Sequence, residues 1–85
     1  MSHQVRLTAG ARREFLSLSP RAQERIAAAV ARLQAHPRHP GARKLVQKEG
    51  WRARIGDYRM LYTIDDAARV VTVSAIGHRR EVYRG

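Results

Sequence analysis

The spacing of apolar positions changes near residue 40, and the change divides the chain into two textures. Gln4-Val5-Arg6-Leu7 alternates polar with apolar, as a short strand does. Thr8 then offers a cap oxygen, and Ala11, Phe15 and Leu18 recur at helical intervals, which predicts a first helix reaching Leu18. Ser19-Pro20 restarts the pattern, because serine caps a helix and proline fits its first position, where no N–H is needed. From there Ala22, Ile26, Ala29, Val30 and Leu33 form one apolar stripe, with Arg21, Glu24, Arg25 and Arg32 elsewhere on the wheel. His36-Pro37-Arg38-His39-Pro40-Gly41 stops the helix and reads as a loop.

Beyond residue 40 the period falls to two. Trp51-Arg52-Ala53-Arg54-Ile55 alternates strictly, and Gly56-Asp57 has the composition of a type II′ hairpin turn. Tyr58 to Ile64 is the return strand. Asp65 to Ala68 reads as the next turn, Arg69 to Ile76 as a β-branched strand, and Gly77 as its end. These elements predict an α+β fold within a single domain, residues 1–85. Two N-terminal helices pack on one face of a small, mainly antiparallel four-stranded sheet.

A two-residue turn fixes the pairing behind it. Ile55 faces Tyr58, Arg54 faces Arg59, Ala53 faces Met60, Arg52 faces Leu61 and Trp51 faces Tyr62. Cross-strand partners share a face, so Trp51, Ala53, Ile55, Tyr58, Met60 and Tyr62 make an apolar side for the helices. Arg52, Arg54 and Arg59 gather on the other side. Like charges directly opposite destabilise a sheet, by up to about 1 kcal/mol. Such a local conflict marks a candidate functional site, because an anion between the guanidiniums would remove it. With a turn at 65–68, Thr63 pairs with Val70 and Arg59 with Ser74. Parity then carries Ser74, Ile76 and, if the strand runs on, His78 to the arginine side.

Composition sharpens this picture. The 85 residues carry 17 Lys+Arg against 7 Asp+Glu, a net charge of +10, and all but two of the basic residues are arginine. Such a field attracts polyanions, and guanidinium suits two-pronged contact with phosphate. Absent cysteine excludes disulfides, thiolate catalysis and Cys-based zinc sites. His36 and His39 sit beside two prolines with no third ligand nearby, so no metal is expected. A chain this short leaves no room for a cofactor-binding lobe, and no cofactor is expected. The N-terminus lacks a signal-peptide layout, and the longest uncharged run, Val70 to His78, is far short of a membrane span. A soluble, cytoplasmic protein with no membrane partner is expected.

Trp51-Arg52-Ala53-Arg54-Ile55-Gly56-Asp57-Tyr58-Arg59-Met60-Leu61-Tyr62, followed by Ile76-Gly77-His78-Arg79-Arg80-Glu81-Val82-Tyr83, resembles the RelE/ParE superfamily of bacterial type II toxins, on its RelE side. The likeness extends over nearly the whole chain in element order. It implies a RelE-like, microbial-ribonuclease-like fold and a ribosome-dependent mRNA endoribonuclease that needs no metal. It also implies the ribosome and mRNA as partners, and an adjacent RelB-like antitoxin that neutralises the toxin. The RNA 2′-OH would attack the neighbouring phosphorus and the 5′-oxygen would leave. By motif position, Arg52 and Arg54 contact the phosphate, and Arg59 stabilises it in the transition state. Arg79, or Arg80 in the alternative register, is the basic residue after the last strand, and Tyr83 is the base-stacking tyrosine. Lys44 and Lys48, before the second motif strand, read equally as a solvated loop or as contacts to a ribosomal RNA backbone.

Relatives often carry lysine at the positions of Arg52 and Arg54. Arginine stays protonated and is a poor base. His78, with an ordinary pKa near ~6.5, is the expected substitute, followed by Tyr83 and then by phosphate stabilisation alone. The resemblance leaves one other toxin type open, a ParE-like inhibitor of DNA gyrase without catalysis. Such relatives typically lack these basic residues and the tyrosine. A nucleic-acid-binding module without catalysis is the third reading.

Overall fold

The computed structural model of the chain describes residues 2–46 and 48–78. Strand β1 (Gln4–Leu7) leads into α1 (Ala9–Leu16) and α2 (Pro20–Ala35), followed by β2 (Ala42–Lys44), β3 (Trp51–Ile55), β4 (Tyr58–Asp65) and β5 (Val70–His78). Both helices start where their caps predict. Thr8 Oγ1 accepts from Ala11 N–H at 3.1 Å and Ser19 Oγ from Ala22 N–H at 3.2 Å. Helix α1 stops at Leu16, two residues short of the expected end. The Gln23 side-chain amide donates to the carbonyls of Phe15 (3.1 Å) and Leu16 (3.4 Å), partners that the end of a helix otherwise lacks.

The sheet has five strands in the order β1-β5-β4-β3-β2, one more than the sequence suggests. All pairings are antiparallel except β1 with β5. The added strand is β2. It has three residues with a single apolar one, too short for any period to show. It is closed onto β3 by Leu45 N–H to Gly50 C=O (2.9 Å). Gly50 is buried at φ +126, and a Cβ there would stand 3.0 Å from the Tyr62 carbonyl, so the turn needs glycine.

The α2 stripe faces the sheet as its spacing predicts. Ala22, Ile26, Ala29 and Leu33 are buried, and the last three share one core cluster with Ala53, Met60, Tyr62, Val71, Val73 and Ile76. Burying one such Ile or Leu contributes about 1.5–3 kcal/mol, which for a small domain is a large share of net stability. The hairpin register also agrees pair for pair, from Ile55↔Tyr58 to Trp51↔Tyr62. Gly56 has φ +60, whereas Asp57 is absent from the positive-φ residues, as a type II′ turn requires.

The β4–β5 pairing differs from expectation in its turn and in a bulge, and the bulge redirects side chains. The turn occupies 66–69 because Asp65 Oδ1 accepts from Ala68 N–H (3.0 Å) and Arg69 closes it at φ 57, so Asp65 pairs with Val70. A bulge then intervenes. Tyr62 pairs with Val73 but Leu61 with Ala75, leaving Ser74 as the extra residue. One extra residue exchanges the faces of everything after it. Ile76 therefore pairs with Met60 and enters the core at 1% exposure. His78 pairs with Tyr58 on the helix side, and Gly77, which continues the strand, lies opposite Arg59. The bulge is anchored from both sides. Ser74 Oγ donates to the Leu61 carbonyl (3.3 Å), and the next open amide, Ile76 N–H, donates to Glu14 Oε1 on α1 (3.1 Å).

Candidate functional site

Strand alternation on β2, β3 and β4 gathers four arginines on the sheet face away from the helices, beside Leu61 and Thr63. Arg43 is paired with Arg52, and Arg54 with Arg59, so two like-charged pairs sit side by side. They line a cleft of about 810 Å³ together with Gly41, Gly56 and Asp57. Four guanidiniums therefore face one carboxylate.

Arg59 is the inner member, only 8% exposed, whereas Arg43, Arg52 and Arg54 are exposed. Its Nη1 donates to the carbonyls of Tyr58 (3.1 Å) and Gly56 (3.4 Å), so the hairpin turn holds the guanidinium in place. Gly77 on the partner strand adds no side chain beside it. Among the described residues, Arg43, Arg54 and Arg59 form no ion pair. A buried cation without a counter-ion is costly unless something anionic arrives. Such an arrangement has the donors to meet a tetrahedral or planar polyoxyanion in several prongs. It supplies donors but no base, since arginine keeps its proton.

The predicted site residues divide. Arg52, Arg54 and Arg59 converge as expected. His78 does not join them: its ring meets Tyr58 edge-on, with centroids 6.2 Å apart, on the opposite face. Lys44 pairs with Trp51 and so also lies on the helix-side face, and Lys48 lies in the loop between β2 and β3, outside the cleft lining. Arg79, Arg80 and Tyr83 lie outside the described residues. Arg43 is the residue that sequence reasoning missed. Its place follows only from the pairing of β2 with β3, and nothing short of recognising that strand signals it.

The other side of the 36–41 loop is organised differently. Arg38 makes a two-pronged pair with Asp66 (3.1 and 2.8 Å) and lies over the Trp51 ring, 5.5 Å from its centroid. Those hydrogen bonds hold the Asp66 carboxyl below its ordinary range and raise the Arg38 guanidinium. His3 Nε2 stands 3.6 Å from Asp66. Tyr62 OH donates to the buried Pro37 carbonyl at 2.7 Å, and burial pushes the phenol up to about 12. His39 Nδ1 accepts from Gly41 N–H (3.1 Å), and burial, then Arg32 and His36, push its imidazole down. Among the described residues no three His, Asp or Glu side chains are grouped to hold a metal ion.

Comparison with known proteins places these observations in a family. The sequence profile described as "ParE toxin of type II toxin-antitoxin system, parDE" matches residues 5–83. Toxin RelG of Mycobacterium tuberculosis is 37% identical over 90 residues, covering 99% of each chain. The toxin–antitoxin complex RelBE2 of M. tuberculosis contains a chain with TM-score 0.84 and 30% identity, covering 93% of this chain and 100% of that one. The intact RelBE complex of Escherichia coli shares the fold with TM-score 0.80 at 18% identity, covering 91% of this chain and 96% of its own.

Proposed function

Since the chain belongs to the ParE toxin family of type II toxin–antitoxin systems, within the RelE/ParE superfamily, we propose that it is an mRNA endoribonuclease acting in the ribosomal decoding site. The observation that carries this reading is the convergence of Arg43, Arg52, Arg54 and Arg59 on one cleft of the open sheet face. A phosphodiester bound there meets several guanidiniums at once. In the reaction, the 2′-oxygen attacks the adjacent phosphorus and the bond to the 5′-oxygen breaks. The products are a cyclic phosphate and a 5′-hydroxyl. Negative charge grows on the non-bridging oxygens as the phosphorus becomes five-coordinate, and fixed donors aimed at that charge lower the barrier by about 2.7–4 kcal/mol each. Arg59, held by its own turn, is the fixed donor. The more exposed Arg43, Arg52 and Arg54 bind and align the strand.

Two protons must move, from the 2′-hydroxyl and to the 5′-oxygen. With His78 on the other face, the role of base passes in this reading to Tyr83, which serves only with a strongly lowered phenol pKa. Arg79, or Arg80, is in this reading the further basic residue, by motif position alone. The partner is a RelB-like antitoxin, supported by the solved relatives' being toxin–antitoxin complexes. The cytoplasm, where messages are translated, is the place of action. Among the described residues no helix is long and apolar enough to cross a membrane.

The description of the matching family favours a second reading, ParE-like inhibition of DNA gyrase without catalysis. One experiment separates the two. The wild type and Arg59→Ala are induced in bacteria, RNA ends are mapped, and DNA supercoiling by gyrase is assayed with the purified chain. Cuts within translated messages that vanish in Arg59→Ala support the nuclease. Intact messages together with blocked supercoiling, insensitive to Arg59→Ala, overturn it.

A further inference from the structure

The tip of the β3–β4 hairpin separates the arginine cleft from a second basic hollow. This hollow, of about 330 Å³, is lined by Ser19, Arg21, Ala22, Arg25 and Tyr58. Arg25 ties the two together. Its Nη1 stands 3.3 Å from where a Cβ on Gly56 would be, and Gly56 lines the arginine cleft. Tyr58, which follows in the same turn, forms a wall of the second hollow. Arg21 and Arg25 are exposed and one turn apart on the same face of α2, a like-charged spacing that weakens a helix. Neither forms an ion pair among the described residues. The start of α2 does not explain the feature, since Ser19 Oγ already accepts from Ala22 N–H.

We infer that this hollow is a second phosphate subsite for the same RNA strand. A strand whose scissile phosphate lies over Arg59 continues past Gly56 and seats a neighbouring backbone phosphate between Arg21 and Arg25, with its sugar or base against Tyr58. Two features fit such an occupant. The cation-bearing surface is continuous across the turn, and glycine at φ +60 keeps the crossing free of a side chain. Such contacts carry no sequence information but fix register, so this subsite orients the strand across the cleft. The inference rests on the RNA reading of the arginine cleft and extends it.

The test uses the full chain and uncleavable 2′-O-methyl RNA, a dinucleotide with a single phosphodiester and a dodecamer, with binding followed by fluorescence anisotropy over a series of salt concentrations. For the dodecamer, Arg21→Ala/Arg25→Ala is expected to flatten the slope of log affinity against log salt by about 0.7, the value for one lost phosphate contact on a single strand. Dinucleotide binding stays unchanged. Arg12→Ala/Arg13→Ala, which removes equal charge from exposed positions on α1, leaves both slopes as in the wild type, and melting curves verify that each variant folds. A dodecamer slope unaltered by the α2 pair, while Arg54→Ala weakens both oligonucleotides, overturns the subsite alone. An equal loss in both double variants also overturns it, by reducing the effect to net charge. A wild type that binds neither oligonucleotide overturns the subsite together with the RNA reading.

Discussion

Arg38 lies over the Trp51 ring on the helix side of β3, whereas Arg59 stands on the open face two strand positions from the hairpin tip. Arg38 is exposed to water, yet both prongs of its guanidinium are engaged by Asp66. Arg59 is almost buried, yet its cross-strand neighbour is another arginine and its own bonds go only to turn carbonyls. Burial alone would rank them the wrong way round for function. The company each keeps is what separates them: one cation is already balanced by the fold, and the other is balanced only when an anion enters. Across this chain, an arginine opposite an arginine therefore marks the proposed working surface, and an arginine opposite a carboxylate marks a fastening.

The largest test of that contrast is Arg59→Ala. Cleavage of translated messages, followed by RNA-end mapping, is expected to fall by about two to three orders of magnitude, the usual effect of removing a fixed donor to a transition-state oxyanion. The melting temperature should change little, because relief of the Arg54 repulsion offsets the lost contacts. A variant that loses activity and folding together would erase the distinction.

Next comes Tyr62→Phe on the fastened side. It leaves the buried Pro37 carbonyl without its donor and is expected to cost about 1–3 kcal/mol in urea unfolding, with cleavage intact. The same phenol gives an alkaline signature. Its folded pKa, about 12, lies above its ordinary value of 10, so its contribution is complete below pH 10 and disappears as pH climbs toward 12. Urea midpoints of the wild type should fall through that window, and those of Tyr62→Phe should not fall for this reason.

A smaller and oppositely signed effect is expected from Arg54→Ala. Removing one of two facing cations should stabilise the sheet by a few tenths up to about 1 kcal/mol while weakening RNA binding. Stabilisation coupled to lost affinity is hard to obtain from an ordinary solvated face. The smallest effect belongs to Asp66→Asn. Hydrogen bonds from Arg38 hold this carboxyl low, so what it adds is present above pH 3.8 and lost as acid titrates it through its folded value. Solvent screening keeps the melting difference slight.

Much of this was legible in the chain itself. The Gly56-Asp57 turn dictates the register of β3 with β4, and so the facing of Arg54 on Arg59. Ser19-Pro20 and the stripe through Leu33 locate α2 and its buried side. What escaped reading is local and countable by residue. The bulge at Ser74 reverses His78, and its only trace is that Val71 and Val73, at interval two, are followed by Ile76 at interval three. The three residues of β2 are too few for alternation, so Arg43 lost its place beside Arg52. The side chain of Asp65 moved the next turn by one residue, which no hydrophobic pattern records.

The two outer strands have a consequence for the chain in isolation. Strand β1 offers four residues along its outer side and β2 only three, with Arg43 and Lys44 among them. Backbone groups along such margins are the usual invitation for a foreign strand to zip on, and brevity with charge withdraws it. A molecule built this way is expected to stay dispersed at concentrations where a longer, uncharged border would seed fibres.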